Sequence, residues 1–166
     1  MDNRHRKGIA LSNQDFHTFR DYMSRAGKPL TASMEDYLEM IYRLSAKSGY
    51  TRINKLAGAL NVQPPAVTRM VQKLAELKLV RYERYGVVSL LEPGFRMGAS
   101  LLKRHDTVEK LLRVLGVSEE HLLEETEKIE HTITEETLKC FFDFAEFIQG
   151  ERELIDKYRE FRTGRM

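Results

Sequence analysis

Cysteine is almost missing from this 166-residue chain: Cys140 stands alone. That excludes a disulfide framework and any zinc or iron–sulfur site built on clustered thiolates. Tryptophan is absent, and four prolines are too few for a proline-rich linker. No apolar run approaches the roughly 20 residues of a membrane-spanning helix. The opening MDNRHRKGIALSNQDF contains no uninterrupted apolar stretch, so no secretory signal is expected there. No glycine-rich phosphate loop, nucleophile elbow, internal repeat or low-complexity segment occurs. The expectation is a protein of a reducing cytoplasm, long enough to bury about two-thirds of its surface and fold without a covalent staple.

Charge is plentiful and unevenly placed. The net charge is only +2, yet residues 1–30 carry six basic and three acidic side chains, residues 31–91 nine and five, and residues 92–166 twelve and seventeen. A basic front attracts polyanions such as nucleic acid. The acidic excess gathers in 116–136, where eight glutamates face Lys128 alone. Crowded carboxylates form either a solvated face or a cation site.

Helical periodicity dominates. Short stripes predict helices over 13–26, 33–46 (with Ser33 as cap) and 52–60. Pro64 and Pro65 suit the start of a helix running to 77, with Val67, Met70 or Val71, and Leu74 inward. The segment 79–91, LVRYERYGVVSLL, changes period and reads as a β-hairpin turning at Tyr85-Gly86. A long helix over 93–115 follows, its stripe being Leu101, His105, Val108, Leu112 and Leu115. Further helices are predicted from Ser118 to 131, from Thr134 to 149, and from Glu151 to Phe161. In the penultimate one Cys140 reads as packed within the stripe of Leu138, Phe141, Phe142, Ala145 and Ile148. Phe141, Phe142, Ala145 and Ile148 are candidates for a seam between two copies of the chain, with the intrachain core as the competing reading. The fold class expected is mainly α. It comprises an N-terminal extension (1–30), a winged helix-turn-helix domain (31–92) and a helical domain (93–166).

Two short helices joined by a tight turn and followed by a hairpin describe a DNA-reading unit. Its second helix would offer Gln63, Pro64, Pro65, Thr68, Arg69, Gln72 and Lys73 to a groove. Glutamine suits adenine, arginine suits guanine, and proline suits a thymine methyl. Thr68, Arg69 and Lys73 serve equally as phosphate contacts, which position without reading sequence. Arg81, Arg84 and Tyr85 on the hairpin would meet the backbone or a minor groove. The competing reading is a helical domain whose solvent face is basic.

A second constellation is acidic. Asp36 and Glu39 lie at i and i+3 on one helix face. Glu127, Glu130 and His131 form E-x-x-E-H on another. His105 falls inside an apolar stripe and should point inward, where buried carboxylates need a counter-charge. Convergence of Asp36, Glu39, His105, Glu127, Glu130 and His131 on one or two cations would make a hard, roughly octahedral donor set. Such a set suits Mn(II) or Fe(II) better than Cu(I) or a tetrahedral zinc. Spacing alone leaves a solvated face open. His121 with Glu124 and Glu125 resembles a zinc-protease string but lacks its second histidine.

From Ser33 to about Ile148 the chain resembles the DtxR family of metal-dependent repressors, in its manganese-responsive MntR branch. The strings that carry the resemblance are SMEDYLEMIY, VTRMVQKL, RHDTVEKLLRVLGV and EKIEH. It implies a winged-helix DNA-binding domain (31–92) joined to a helical metal-binding and dimerisation domain (93–166), a homodimer, and metal ligands at Asp36, Glu39, His105, Glu127, Glu130 and His131. The iron-responsive branch has a cysteine at the position of Glu127, so the harder carboxylate implies manganese. The resemblance therefore implies a Mn(II)-activated cytoplasmic repressor of manganese-uptake genes, acting on operator DNA with no membrane or small organic partner. An iron-responsive repressor of the same family is the alternative. A di-metal carboxylate enzyme is a third reading, although bundles of that kind use paired Glu-x-x-His motifs that this chain lacks. In the resemblance's terms, metal would favour the DNA-competent spacing of two flexible halves. Residues 1–30 lie outside it, as a packing helix or a basic arm.

Overall fold

The computed structural model describes residues 30–164; the helix expected over 13–26 lies outside them. Helix α1 (Ala32–Ser45) is capped by Thr31, two residues before the expected Ser33, its hydroxyl accepting from the Met34 amide at 3.3 Å. Both Thr31 and Ser33 suit a cap, but Ala32 is helix-compatible and Leu30 is buried, which draws the start forward. Tyr37, Leu38 and Ile41 form the buried stripe.

Next come β1 (Thr51–Arg52), α2 (Ile53–Leu60) and α3 (Pro64–Glu76). Asn61 ends α2 in the left-handed conformation at φ 52°, which asparagine tolerates better than most residues. The next helix starts three residues on, with proline in its first turn, where no amide hydrogen is needed. Between Met70 and Val71, the structure buries Val71, together with Val67 and Leu74. Strands β2 (Val80–Tyr82) and β3 (Val87–Leu90) form the predicted hairpin. Val80 pairs with Leu90 and Tyr82 with Val88, while β1 pairs Thr51 with Val88 on the other edge of β3, all antiparallel. The sheet order is therefore β1-β3-β2. At the hairpin tip Tyr85 has φ 61° and Gly86 φ 72°. The Arg52 guanidinium donates to the Tyr85 carbonyl at 3.5 Å. Leu38, Ile41, Leu56, Val67, Val71, Leu74, Leu79, Val80 and Val88 close the core of this half. Each full burial contributes about 1.5–3 kcal/mol.

Helix α4 (Glu92–Val114) joins the halves. It packs most extensively on α1, and then on α5 (Glu119–Glu130) and α6 (Glu135–Gln149). Two glycines permit its approach. A Cβ on Gly94 would overlap the Leu79 carbonyl oxygen, and one on Gly98 would sit 2.7 Å from the Tyr42 Cβ. The buried line of α4 runs Leu101, His105, Val108, Leu111, whereas Leu115 is exposed. Leu115 is the residue after the helix and so leaves the face that the stripe predicted.

Helix α7 (Arg152–Thr163) folds back onto that end: the Tyr158 hydroxyl and the Arg162 guanidinium both donate to the Leu115 carbonyl. On α6, Leu138, Ala145 and Ile148 are buried and Phe141 and Phe142 partly so. Cys140, expected to be packed, is exposed. Two residues from Leu138, it is turned about 200° around the helix, onto the face of Phe144 and Phe147, which are also exposed. No helix among the described residues is long and apolar enough to cross a membrane.

Candidate metal centre and nucleic-acid face

Helix α1 presents its buried stripe to the core and, on the roughly opposite face, Asp36 and Glu39 toward α4 and α5. His105 enters from the buried line of α4, as its place in the stripe predicted, and is 5% exposed. Glu127, Glu130 and His131 arrive from the last turn of α5. Glu130 is 2% exposed, an unusual burial for a carboxylate whose ion-pair partners among the described residues are histidines.

All six sequence-predicted residues meet here, in two groups whose donor atoms lie within 4.8 Å of one another: Asp36, Glu127, Glu130 and His131; and Glu39, His105 and Glu130. Glu130 belongs to both. Its Oε2 lies 3.1 Å from His105 Nδ1 and its Oε1 3.6 Å from His131 Nε2. Each oxygen faces a different imidazole, the disposition of a carboxylate that can bridge two ions. His131 Nε2 is also 2.8 Å from Asp36 Oδ1, and Glu127 reaches within 3.8 Å of His105. A cleft of about 410 Å³, lined by Asp36, Glu39, Arg43, His105 and Glu127 among others, opens the centre to solution.

A divalent cation fits this donor set. Among the described residues five buried side-chain atoms have no hydrogen-bond partner, and three of them are His105 Nδ1, Glu130 Oε2 and His131 Nε2. Buried polar atoms are ordinarily satisfied. Orphans of both kinds, imidazole nitrogen and carboxylate oxygen, side by side in one place suit a bound cation. Burial pushes the Asp36, Glu39 and Glu127 carboxyls above their usual range, and neighbouring carboxylates add to the rise. The Glu130 carboxylate holds the His105 imidazole above its ordinary value. For His131, burial acts downward, but Glu35, Asp36 and Glu130 outweigh it.

Three residues around the centre escape the sequence reading. Glu35 accepts from His131 Nδ1 at 2.9 Å; Arg104 approaches the same Glu35 oxygen at 3.7 Å; Arg43 pairs with Glu39 at 2.7 Å. A signal for Glu35 exists: it stands three residues before Leu38, on the same inward face of α1.

The second predicted site lies on α3. Gln63, Pro64, Pro65, Arg69, Gln72 and Lys73 line its solvent side, opposite the buried Val67, Val71 and Leu74. Thr68 is half-buried, and its hydroxyl donates back to the Pro64 carbonyl at 3.0 Å. Arg81, Arg84 and Tyr85 project from the hairpin, Tyr85 being 91% exposed.

Comparison with known proteins places this geometry. The family described as "Iron dependent repressor, N-terminal DNA binding domain" matches residues 29–88, and its companion, "metal binding and dimerisation domain", matches residues 92–152. The "HTH-type transcriptional regulator MntR" of Shouchella clausii (strain KSM-K16) is 39% identical over 130 residues, covering 78% of this chain and 91% of the relative. That of Geobacillus kaustophilus (strain HTA426) is 38% identical over 130 residues, covering 78% and 92%. Among solved structures, T. acidophilum IdeR matches with a TM-score of 0.59 and 31% identity, over 70% of this chain and 54% of that one. The manganese regulator SloR matches at 0.61 and 30%, over 69% and 54%. This chain thus spans about half the length of those two solved chains. The relatives are transcription regulators, and the reading as a di-metal enzyme falls with them. The chain belongs to the iron-dependent repressor family of metal-dependent, DNA-binding transcriptional regulators, the DtxR family, and within it resembles the MntR branch.

Proposed function

We propose that this protein is a manganese-activated repressor that senses the ion at the α1–α4–α5 junction and reads operator DNA, in the cytoplasm, as a homodimer. The observation that carries the reading is the convergence of two carboxylates from the DNA-binding half with four donors from the helical half around Glu130. The division it uses is an extension over 1–30, a reading unit over 31–92 and a sensing and dimerising unit over 93–166.

Asp36, Glu127, Glu130 and His131 would hold one divalent ion, and Glu39, His105 and Glu130 a second. When bound, such an ion supplies positive charge that offsets the repulsion among four carboxylates. Four hard oxygens and two imidazoles favour Mn(II), with Fe(II) the nearest rival. Asp36 and Glu39 share α1 with Leu38 and Ile41, which pack in the core with Val67 and Val71 of the reading helix α3. Fixing α1 against α4 and α5 therefore fixes α3 relative to the rest of the subunit. In a two-fold dimer that fixes the distance between two α3 helices, which must match successive major grooves about 34 Å apart. Coupling works in both directions: if metal tightens DNA, DNA tightens metal.

On α3, Gln63, Pro64, Pro65 and Arg69 would meet base edges, while Thr68 and Lys73 would meet phosphate. For the dimer seam, Ala145 and Ile148 are committed to the intrachain core. The exposed face of Cys140, Phe144 and Phe147 on α6 fits better, in the half whose family description includes dimerisation.

The test starts from random DNA duplexes, selected for binding in the presence of Mn(II). Affinity for the selected sites is then measured in Mn(II), in Fe(II) without oxygen, and in chelator. Tight binding in Mn(II) that is lost in chelator is expected; equal affinity in the two overturns the switch.

A further inference from the structure

We infer that Glu35 is a positioning residue for this centre, one that orients His131 without being a ligand. The inference rests on the metal reading above. His131 closes α5 as the residue after its last helical turn, so the helix ladder alone does not lock its side chain. Two consecutive residues of α1 hold the ring instead, one at each nitrogen. Glu35 Oε2 lies 2.9 Å from Nδ1 and Asp36 Oδ1 lies 2.8 Å from Nε2.

The two contacts are not equivalent. The Nδ1 contact has hydrogen-bond geometry, with the ring donating to Glu35. Nε2 has no hydrogen-bond partner and faces Asp36 and Glu130 inside the first donor group. A carboxylate that accepts at Nδ1 puts the proton of the neutral ring there and leaves the Nε2 lone pair for a cation, while raising that nitrogen's basicity. Glu35 itself belongs to neither donor group. Its Oε2 is also 3.7 Å from the Arg104 guanidinium of α4, and both side chains are about one-eighth exposed, 12% and 13%. Arg104 places a positive charge beside this fifth carboxylate, next to the four of the donor groups. One α1 residue thereby links α4 and α5 through charge, at the centre's edge.

The test compares the full chain with Glu35→Ala, Glu35→Gln and Glu35→Asp variants. The first readout needs no metal: nitrogen-15 spectra of labelled histidine in chelator, at a pH high enough that the imidazoles are neutral. Wild type should give His131 as the Nδ1–H tautomer. Glu35→Ala should move it toward Nε2–H, and Glu35→Gln, whose amide oxygen still accepts, should largely restore it. The second readout is Mn(II) calorimetry. Glu35→Ala should weaken binding by roughly 10–100-fold, the range for outer partners of a metal-bound histidine, with partial rescue in Glu35→Gln. If Glu35→Ala does not fold, Glu35→Asp, one methylene short, should show the same loss. An unchanged tautomer together with unchanged Mn(II) affinity in the folded variants overturns the inference. Failure of wild type to take up Mn(II) would instead overturn the metal reading, and the tautomer would still decide whether Glu35 orients the ring.

Discussion

Glu130 and His105 approach to 3.1 Å as a buried ion pair whose geometry falls short of a well-made hydrogen bond. Both are buried, and leaving a buried polar atom unpaired costs about 1–3 kcal/mol. A fold that keeps such a pair carries a liability that a cation would remove, and Glu130 alone belongs to both donor groups. Glu130→Gln should therefore weaken Mn(II) binding at both groups at once, by more than the roughly 100-fold upper range of outer-partner changes. Glu39→Gln should affect one group only. Calorimetric stoichiometry distinguishes them: both ions weakened in the first variant, one in the second.

Stability of the metal-free protein should fall as pH rises. Asp36, Glu39 and Glu127 titrate above their usual range, burial being the first cause, so the folded chain holds protons that the unfolded chain has released. His105 and His131 are also raised. Their contribution is present below the ordinary imidazole value of about 6.5 and is lost as pH climbs through the raised folded one. Both effects have one sign. Thermal melts in chelator should show the midpoint dropping from about pH 4, the carboxylate range, up past neutrality. In saturating Mn(II) the trend should reverse, because protons compete with the ion for the same atoms. A midpoint in chelator that rises with pH would contradict the buried, crowded state of these carboxylates.

Gly98 sets the gap between α1 and α4, and so between Asp36 and Glu39 on one side and His105 on the other. A methyl there meets the Tyr42 Cβ at 2.7 Å, and Tyr42 is itself tilted against Phe95. Gly98→Val should cost about 1–3 kcal/mol of stability, the usual range for overpacking. It should also weaken Mn(II) binding, although it touches no donor. Calorimetry on the folded variant checks this; unaltered affinity would mean that the gap is not what positions the donors.

The six converging side chains are legible in the sequence because each obeys a spacing rule or breaks one visibly. Asp36 with Glu39 and Glu127 with Glu130 and His131 share helix faces, and His105 interrupts an apolar stripe. Strand β1 is not legible, since two residues cannot establish an alternation; it exists because β3 offers a free edge. Cys140 reads as packed because α6 has two apolar faces. Residues 138, 145 and 148 point into the subunit, while 140, 144 and 147 point out. Periodicity alone does not say which face belongs to the chain's own core. Glu35 escapes notice because a carboxylate beside another carboxylate reads as surface, until Arg104 from a distant helix supplies its counter-charge.

That outward face yields the dimer prediction. Phe144 and Phe147, 44% and 60% exposed, lie at i and i+3 on α6, and large aromatics at this spacing on a folded surface mark an interface. Phe147→Glu should leave the subunit folded and convert the dimer to monomer in sedimentation. On the proposed reading, in which two α3 helices must be held at a fixed spacing, operator affinity should fall as well, with Mn(II) binding to the separated subunit kept. A dimer that survives this change would place the seam elsewhere.

Lys73 and Arg69 separate positioning from reading on the same helix. Both are exposed on α3, with no ion pair among the described residues, and are turned away from Val67, Val71 and Leu74. A phosphate contact releases counterions whatever the sequence beneath it, so Lys73→Ala should weaken selected and random duplexes alike. It should also flatten the slope of affinity against salt by about one charge per subunit. Arg69, if it reaches a guanine edge, should behave differently: Arg69→Ala should cost about 1–3 kcal/mol on the selected site and much less on random DNA. Anisotropy titrations in Mn(II) at several salt concentrations measure both. Loss confined to the selected site in Lys73→Ala, or spread evenly in Arg69→Ala, would exchange the two roles.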